Sequence, residues 1–205
     1  MLLAKDYITE RWLYLVAGIA VIVLILAGIS LLKSQKGRHE IEAAGVFNRA
    51  LNEVRSTNYQ LAIVDFKKII DDYGSSGQAD MAAFNLANAY LSNKNYSEAK
   101  AAFESYLKRN AGDKYFITSA IAGIGACLTG SGDLAGAADK YREAAEKYPD
   151  FKMAGEYYLK AMQTYAKAGN FDQAHKMYSK IAKDFEGTSY YSDGQRLAGE
   201  YNIQL

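Results

Sequence analysis

The chain has 205 residues, with 24 basic and 23 acidic side chains and a formal net charge of +1 at pH 7. A charge so close to balance provides no long-range attraction for nucleic acid, so a nucleic-acid partner is not expected. The single cysteine cannot form an internal disulfide and does not indicate a redox compartment.

The first element is an apolar segment at residues 12–32, which contains no charged side chain and follows a short flank at 1–11. As an α-helix it would span about 31 Å, the thickness of a bilayer hydrocarbon core. A cleaved signal peptide is the alternative, but its apolar region is usually about 7 to 15 residues long. The segment therefore predicts a single transmembrane anchor. We expect its membrane interfaces at Trp12 and Tyr14 on one side and Lys33 and Lys36 on the other.

A basic linker at 33–40 is predicted between the anchor and a first repeat helix beginning near Ile41. Even fully extended, so short a segment reaches roughly 25 Å, so the domain after it must lie close to the membrane surface. Lys33, Lys36 and Arg38 slightly favour a cytoplasmic location for the rest of the chain. Long domains, however, are translocated largely regardless of flanking charge.

From residue 41 to 188 the sequence repeats itself. An Asn or Asp is followed by a large apolar residue and then by Ala, in the segments Asn58-Tyr59-x-x-Ala62, Asn95-Tyr96-x-x-Ala99, Asp133-Leu134-x-x-Ala137 and Asn170-Phe171-x-x-Ala174. The offsets of 37, 38 and 37 residues are typical of a stacked solenoid. We expect an all-α fold of about four helix pairs, in units near 41–77, 78–114, 115–152 and 153–188.

Small and large apolar residues alternate at helix-packing positions within each unit. The second and third units show this most clearly, as Ala83-x-x-Leu86-Ala87-x-x-Tyr90 with Ala99-x-x-x-Phe103, and as Ile121-x-x-Ile124-Gly125-x-x-Leu128 with Ala137-x-x-x-Tyr141 and Pro149. This pattern resembles the tetratricopeptide repeat (TPR). The first unit is the most degenerate, because Arg49 and Glu53 occupy positions that the family keeps apolar. Degeneracy is expected in a terminal repeat, which lacks one neighbour.

An anchor followed by long-period TPR units resembles the YfgM-like ancillary SecYEG translocon subunits and related TPR proteins of the bacterial envelope. The resemblance implies a single-pass inner-membrane protein whose repeats lie in the periplasm, with the translocon or periplasmic chaperones as partners. Two alternatives stay open. One is a structural accessory subunit of a larger membrane complex, and the other is a cytoplasm-facing TPR receptor.

A binding surface is expected on the concave face, which the first helix of each unit would form. Helix phase places these residues there: Met81, Phe84, Asn85, Asn88, Leu91, Ala122, Ala126, Thr129, Leu159, Lys160, Gln163 and Lys167. Their mixture suits an extended or helical peptide, although the same residues could simply be solvated. The carboxylate clamp of chaperone-binding TPR domains is not expected, because Phe47 and Leu51 stand where its first Lys and Asn are needed.

No sequence pattern indicates a catalytic, metal-binding or phosphate-binding site. The two histidines, His39 and His175, have no Cys or carboxylate at metal-ligand spacing, and no glycine-rich phosphate loop follows a strand. We therefore expect no catalytic residue, metal, cofactor or small-molecule substrate. The sequence favours a protein-interaction module over an enzyme.

The last segment, 189–205, is predicted to be a capping helix. Tyr190, Gly194, Leu197 and Tyr201 recur at spacings of 4, 3 and 4 and form one apolar stripe. Such a helix would cover the open edge of the last repeat.

Overall fold

A computed structural model describes residues 2–109 and 113–203, and throughout these ranges the regular secondary structure is helical. The helices are α1 (Leu2–Arg55), α2 (Tyr59–Asp72), α3 (Ala79–Ser92), α4 (Tyr96–Lys108), α5 (Lys114–Gly130), α6 (Leu134–Lys147), α7 (Ala154–Lys167), α8 (Phe171–Asp184) and α9 (Ser189–Glu200). Each helix from α2 to α8 packs against the helix before it and the helix after it, which is the arrangement of a TPR-like solenoid. The all-α solenoid prediction is confirmed.

Helix α1 runs without a break through residues 33–40, so the predicted linker is helical and no separate repeat helix begins near Ile41. The segment has no proline, and its Lys, Gln, Arg and Glu residues favour helix. Continuing a helix across one glycine, Gly37, costs less than nucleating a second helix. The carboxyl-terminal part of α1 serves as the first helix of unit one. As helix, the eight residues span about 12 Å, less than half the reach of an extended chain of this length.

The repeated Asn or Asp lies immediately before the second helix of every unit, as the spacing predicts. Asp133 Oδ1 accepts a hydrogen bond from the Gly136 N–H at 2.9 Å, and Asn170 Oδ1 accepts one from the Gln173 N–H at 3.3 Å. These bonds satisfy amides that the first helical turn leaves without a partner.

The residue before each of these caps adopts the left-handed conformation. Gly132 and Gly169 have φ of +90° and +76°, a region that glycine enters without strain. The first two units use Thr57 and Lys94 at φ of 60° and 61°. The turn geometry is thus shared by all four units, although only two of them carry the glycine that makes it visible in the sequence.

Small residues allow close helix packing in the interior. Ala87, Ala99 and Phe103 are fully buried in a cluster that joins α3, α4 and α5. A Cβ added to Gly123 would lie 2.4 Å from the Phe103 ring, so glycine is what permits this approach of α5 to α4. Similar clusters of buried side chains join α1 to α3 and α5 to α9.

An ion pair replaces apolar packing in the degenerate first unit. Arg49 in α1 donates to both carboxylate oxygens of Asp65 in α2, with Nε–Oδ2 at 2.6 Å and Nη2–Oδ1 at 2.5 Å. The Asp65 side chain is only 11% exposed. The hydrogen bond and charge of Asp65 raise the pKa of Arg49. Glu53, the other polar substitution, accepts a hydrogen bond from Asn58 Nδ2 at 2.8 Å. Both side chains are therefore partnered within the unit.

Helix α9 packs against α7 and α8. Gly194 and Leu197 are buried, and Tyr190 and Tyr201 are half-buried, so the stripe faces the last repeat. The helix ends at Glu200, earlier than the predicted limit of 205. Ile203 then folds back and donates its N–H to the Ala198 carbonyl at 2.8 Å. Residues 204 and 205 lie outside the described residues.

Candidate functional site on the concave face

The first helices of units two, three and four line a groove of about 280 Å³ on one face of the solenoid. Its walls come from α3, α5 and α7, with one side chain from α6. The lining residues are Leu91, Tyr115, Ser119, Ala122, Gly123, Ala126, Tyr141, Met153, Glu156, Tyr157 and Lys160. In a TPR array this is the concave side.

Helix α5 contributes the floor of the groove. Tyr115, Ser119, Ala122 and Ala126 follow one another at spacings of 4, 3 and 4, which places them on one helix face. Ala126 is half-buried and leaves room above the helix backbone, whereas Ala122 is only 7% exposed and packs in the buried cluster that joins α5 to α9. Tyr115 is 46% exposed at the end of the row. The stripe therefore combines an open floor with an accessible aromatic ring.

Helix α7 contributes the opposite wall, where the charges are paired. Lys160 Nζ lies 2.8 Å from Glu156 Oε1 and 5.8 Å from the centre of the Tyr157 ring. The Tyr157 hydroxyl lies 3.2 Å from Ser119 Oγ, a hydrogen bond that links α7 to α5. With one cation and one anion bound to each other, the groove presents aromatic, apolar and hydroxyl groups rather than a net charge.

The structure brings four of the twelve predicted concave-face residues into this groove: Leu91, Ala122, Ala126 and Lys160. Met81 and Lys167 are exposed outside it, and Leu159 and Gln163 are half-buried outside it. Their place in a binding surface stays a prediction.

The remaining four predicted residues make contacts within the protein. Phe84 is half-buried and makes edge-to-face contacts with Phe103, Tyr106 and Phe116. The side chains of Asn85, Asn88 and Thr129 each donate to a carbonyl four residues earlier in the same helix, at 2.8, 2.9 and 3.0 Å. A peptide would have to compete with these bonds to use the two amides.

Sequence reasoning missed the other seven residues that line the groove: Tyr115, Ser119, Gly123, Tyr141, Met153, Glu156 and Tyr157. The signal was present, because the row of Ala122 and Ala126 extends one and two turns back to Ser119 and Tyr115. The row through Lys160 extends back in the same way to Glu156 and Met153.

A larger groove, of about 550 Å³, lies on the outer side between α6 and α8. Long side chains line it, among them Arg142, Glu146, Lys176, Lys180 and Lys183. Such side chains lose much rotamer entropy when a ligand orders them. We prefer the concave groove as the site because its small and aromatic side chains are already held in place.

Helix α1 carries the predicted membrane segment. It is long and apolar enough to cross a bilayer, and none of its most apolar window is buried against the protein. Trp12 and Tyr14 are 67% and 78% exposed, and Lys33 and Lys36 are exposed beyond the segment. The large apolar side chains that the structure describes between Trp12 and Ile29 are thus exposed and are not used in the solenoid core.

Among the side chains that the structure describes, no cluster of three or more His, Cys, Asp or Glu forms a metal-binding arrangement. His39 packs edge-on against Tyr73 with ring centres 5.7 Å apart, and His175 is half-buried on α8. Cys127 is 1% exposed, and burial raises the pKa of its thiol to about 11. A thiol so protonated is a poor nucleophile, and Cys127 packs in the buried cluster that joins α3, α4 and α5.

The chain is similar in fold to solved TPR structures. It matches a tetratricopeptide repeat protein from Parabacteroides merdae ATCC 43184 with a TM-score of 0.62 at 14% identity, over 78% of this chain and 60% of that one. It matches a Rap protein complexed with Competence and Sporulation Factor with a TM-score of 0.55 at 16% identity, over 80% of this chain and 54% of that one. The chain thus spans little more than half the length of these structures. No curated protein is significantly similar in sequence.

A sequence model of the tetratricopeptide repeat-like domain matches residues 5–124. The match begins inside α1 and ends inside α5, so it covers more than half of the chain and includes the apolar segment. The chain belongs to the tetratricopeptide repeat-like domain family.

Proposed function

We propose that the protein is a membrane-anchored TPR scaffold or adaptor that binds a protein partner through its concave groove. Residues 12–32 form the anchor, and the repeats lie at the periplasmic face of the inner membrane, beside the Sec translocon or with periplasmic chaperones. The observation that carries the binding proposal is the groove between α3, α5 and α7, with its open floor and accessible Tyr115.

The size and chemistry of the groove suit part of a polypeptide. Its volume of about 280 Å³ lies at the lower end of the range of small-molecule pockets, about 300 to 1,000 Å³. That volume accommodates a few side chains of a longer segment. The hydroxyls of Ser119 and Tyr157 offer hydrogen bonds to a peptide backbone, and Leu91 and Met153 offer apolar contact. We expect an uncharged or weakly charged segment with apolar anchors.

The membrane assignment is supported by the exposed apolar side chains of α1. The resemblance of the sequence to YfgM-like subunits supports the proposed periplasmic orientation. A cytoplasm-facing receptor is favoured by one specific observation, the three exposed cations Lys33, Lys36 and Arg38 after the segment. Protease treatment of spheroplasts decides between them, since digestion of the repeats supports the periplasmic orientation and protection contradicts it.

A permanent accessory subunit is the second candidate function. It is favoured by Leu61 and Val64, which are 56% and 61% exposed on the outer face of α2, away from the groove. The two functions predict different stoichiometries after mild detergent extraction. A permanent subunit copurifies with its complex in a fixed ratio, whereas an adaptor copurifies in substoichiometric amounts.

A groove-filling variant tests the adaptor function. Ala126→Phe places a ring on the floor of the groove, whereas Ala135→Phe places one at an exposed position on the outer helix α6. Partner recovery after crosslinking should fall with Ala126→Phe and stay at the wild-type level with Ala135→Phe. Equal recovery with both variants would show that the partner does not enter the groove.

A further inference from the structure

The continuity of α1 places a specific part of the first repeat at the membrane surface. The repeat-facing side of α1 begins at Gln35, only three residues after the apolar segment ends at Leu32. At 1.5 Å per residue, Lys36 lies about 6 Å beyond the end of the hydrocarbon core. The polar headgroup region of one leaflet is about 5 to 7 Å thick. This part of α1 is therefore at headgroup depth.

The loop between α2 and α3 is fixed to this part of the helix. The Gly77 N–H donates to the Glu40 carboxylate, with distances of 3.0 and 3.3 Å to its two oxygens. The Tyr73 hydroxyl donates to Glu42 Oε2 at 3.2 Å, and the Tyr73 ring packs edge-on against His39. At 1.5 Å per residue these contacts hold the loop about 10 to 15 Å beyond Leu32, and the space between loop and helix extends from there down to Lys36.

Helix and loop enclose a cleft of about 260 Å³ with polar walls. Its lining is Gln35, Lys36, His39, Glu40, Ser75 and Ser76. The Ser76 hydroxyl oxygen is buried and has no hydrogen-bond partner among the described residues. A buried hydroxyl without a partner is costly and indicates a missing partner.

The charges around the cleft favour an anion. Lys33, Lys36 and Arg38 are exposed on this stretch of α1, and residues 73–78 of the loop carry no charge. Glu40 also lines the cleft and stays negatively charged while it accepts the Gly77 N–H, so within residues 33–40 three cations face one carboxylate. An ammonium beside two serine hydroxyls is a donor set that suits phosphate oxygens.

We infer that this cleft binds the phosphate of an anionic phospholipid headgroup and so docks the first repeat onto the bilayer. The inference rests on the proposed membrane anchor and is independent of the orientation across the membrane. Lys36 neutralises the phosphate, and the Ser75 and Ser76 hydroxyls donate to its oxygens. Docking at two points, the helix and the cleft, fixes the tilt of the solenoid relative to the membrane.

The test uses the full chain in nanodiscs of phosphatidylcholine that contain a minority of phosphatidylglycerol. Trp12, the single tryptophan, first reports on the anchor, because brominated lipid quenches its fluorescence when α1 is inserted. Absence of quenching would refute the anchor and hence the proposed function. Quenching of Trp12 without a preference for phosphatidylglycerol over phosphatidylcholine would refute only the proposed lipid site in the cleft.

Native mass spectrometry then counts the phosphatidylglycerol retained after transfer to detergent. Lys36→Gln should lower the affinity for this lipid about fivefold, the effect of one cation near an anionic surface. Ser76→Ala should also lower it, and Lys36→Arg should retain it. The matched control is Lys94→Gln, which removes an exposed lysine from the turn between α3 and α4 and should change nothing.

Two results would overturn the inference. One is equal lipid retention by Lys36→Gln and Lys94→Gln in samples whose Trp12 is quenched. The other is displacement of the lipid by inorganic phosphate at equal concentration, since this would show a site for a free anion rather than for a lipid.

Discussion

Adding one methyl group at Gly123 tests the close packing on which the solenoid depends. The Cβ of a Gly123→Ala variant would lie 2.4, 2.6 and 2.8 Å from three atoms of the Phe103 ring. Ordinary carbon contacts lie at about 3.5 to 4.0 Å, so the ring must shift by about 1 Å. Phe103 is fully buried and packs on Phe84, so it has no open space to move into.

The magnitude follows from two opposing effects. Overpacking a well-packed core typically costs about 1 to 3 kcal/mol. Replacing a helical glycine by alanine gains roughly 0.5 to 1 kcal/mol. Gly45 on α1 is the matched control, because a Cβ added there meets no atom within 4 Å. Since both variants share the helix gain, the difference between them measures the overpacking cost alone.

The assay is urea unfolding of the full chain in detergent, followed by circular dichroism. The Gly123→Ala midpoint should lie roughly 0.3 to 1.5 M below that of Gly45→Ala, for a slope of about 2 to 3 kcal/mol per M. A Gly123→Ala midpoint equal to or above that of Gly45→Ala would refute the packing argument.

Three further predictions concern stability and reactivity. Arg49→Met should destabilise the chain by about 1 to 2 kcal/mol because it leaves the Asp65 carboxylate without its partner. In urea unfolding, the double variant with Asp65→Leu should recover most of this loss. Additive losses from the two substitutions would contradict the prediction. Burial raises the pKa of the Cys127 thiol from 9.0 to about 11, which lowers the fraction of reactive thiolate at pH 8. Cys127 should therefore react with a maleimide about 100-fold more slowly than the thiol of an unfolded control. Equal rates would show that the thiol is accessible. Burial and the hydrogen bond to Asp139 raise the pKa of Tyr165, so the unfolded chain loses this proton first and stability should fall as the pH rises above about 10. Urea midpoints at pH 7 and 10.5 check this, and Tyr165→Phe should show a smaller fall than the wild type.

Local sequence patterns predicted the fold well because each unit carries its own turn and packing residues. The Asn and Asp caps lie directly before α2, α4, α6 and α8. The turn geometry at Thr57 and Lys94 could not be predicted, because residues other than glycine rarely adopt positive φ. In those units the packing of the two helices overrides the local preference.

Residues 33–40 are helical because the helix of the anchor continues through them and because contacts with a distant loop support them, and the predicted break took account of neither. Residues 33–40 are polar and contain Gly37, which by itself favours a break. The structure shows one side of this segment packed against the loop at 73–78, through His39 and Glu40. Sequence periodicity does not reveal that contact, because the loop lies more than thirty residues away.

The groove was predicted only in part for a similar reason. Helix phase identified Ala122 and Ala126, but it does not show how far apart α5 and α7 lie or which turns face each other. Nor does it show that Asn85 and Asn88 hydrogen-bond to their own helix. These facts depend on the distances between helices and on side-chain rotamers, which tertiary packing determines.

Site-specific photocrosslinking tests the central claim, that a protein partner occupies the concave groove. A photoreactive phenylalanine analogue is placed at Tyr115 in the groove or at Phe171 on α8, positions with exposures of 46% and 51%. We predict a discrete crosslinked protein from position 115, reduced by Ala126→Phe, and none from position 171. Equal products from both positions, or a product from 115 that Ala126→Phe leaves unchanged, would contradict the account.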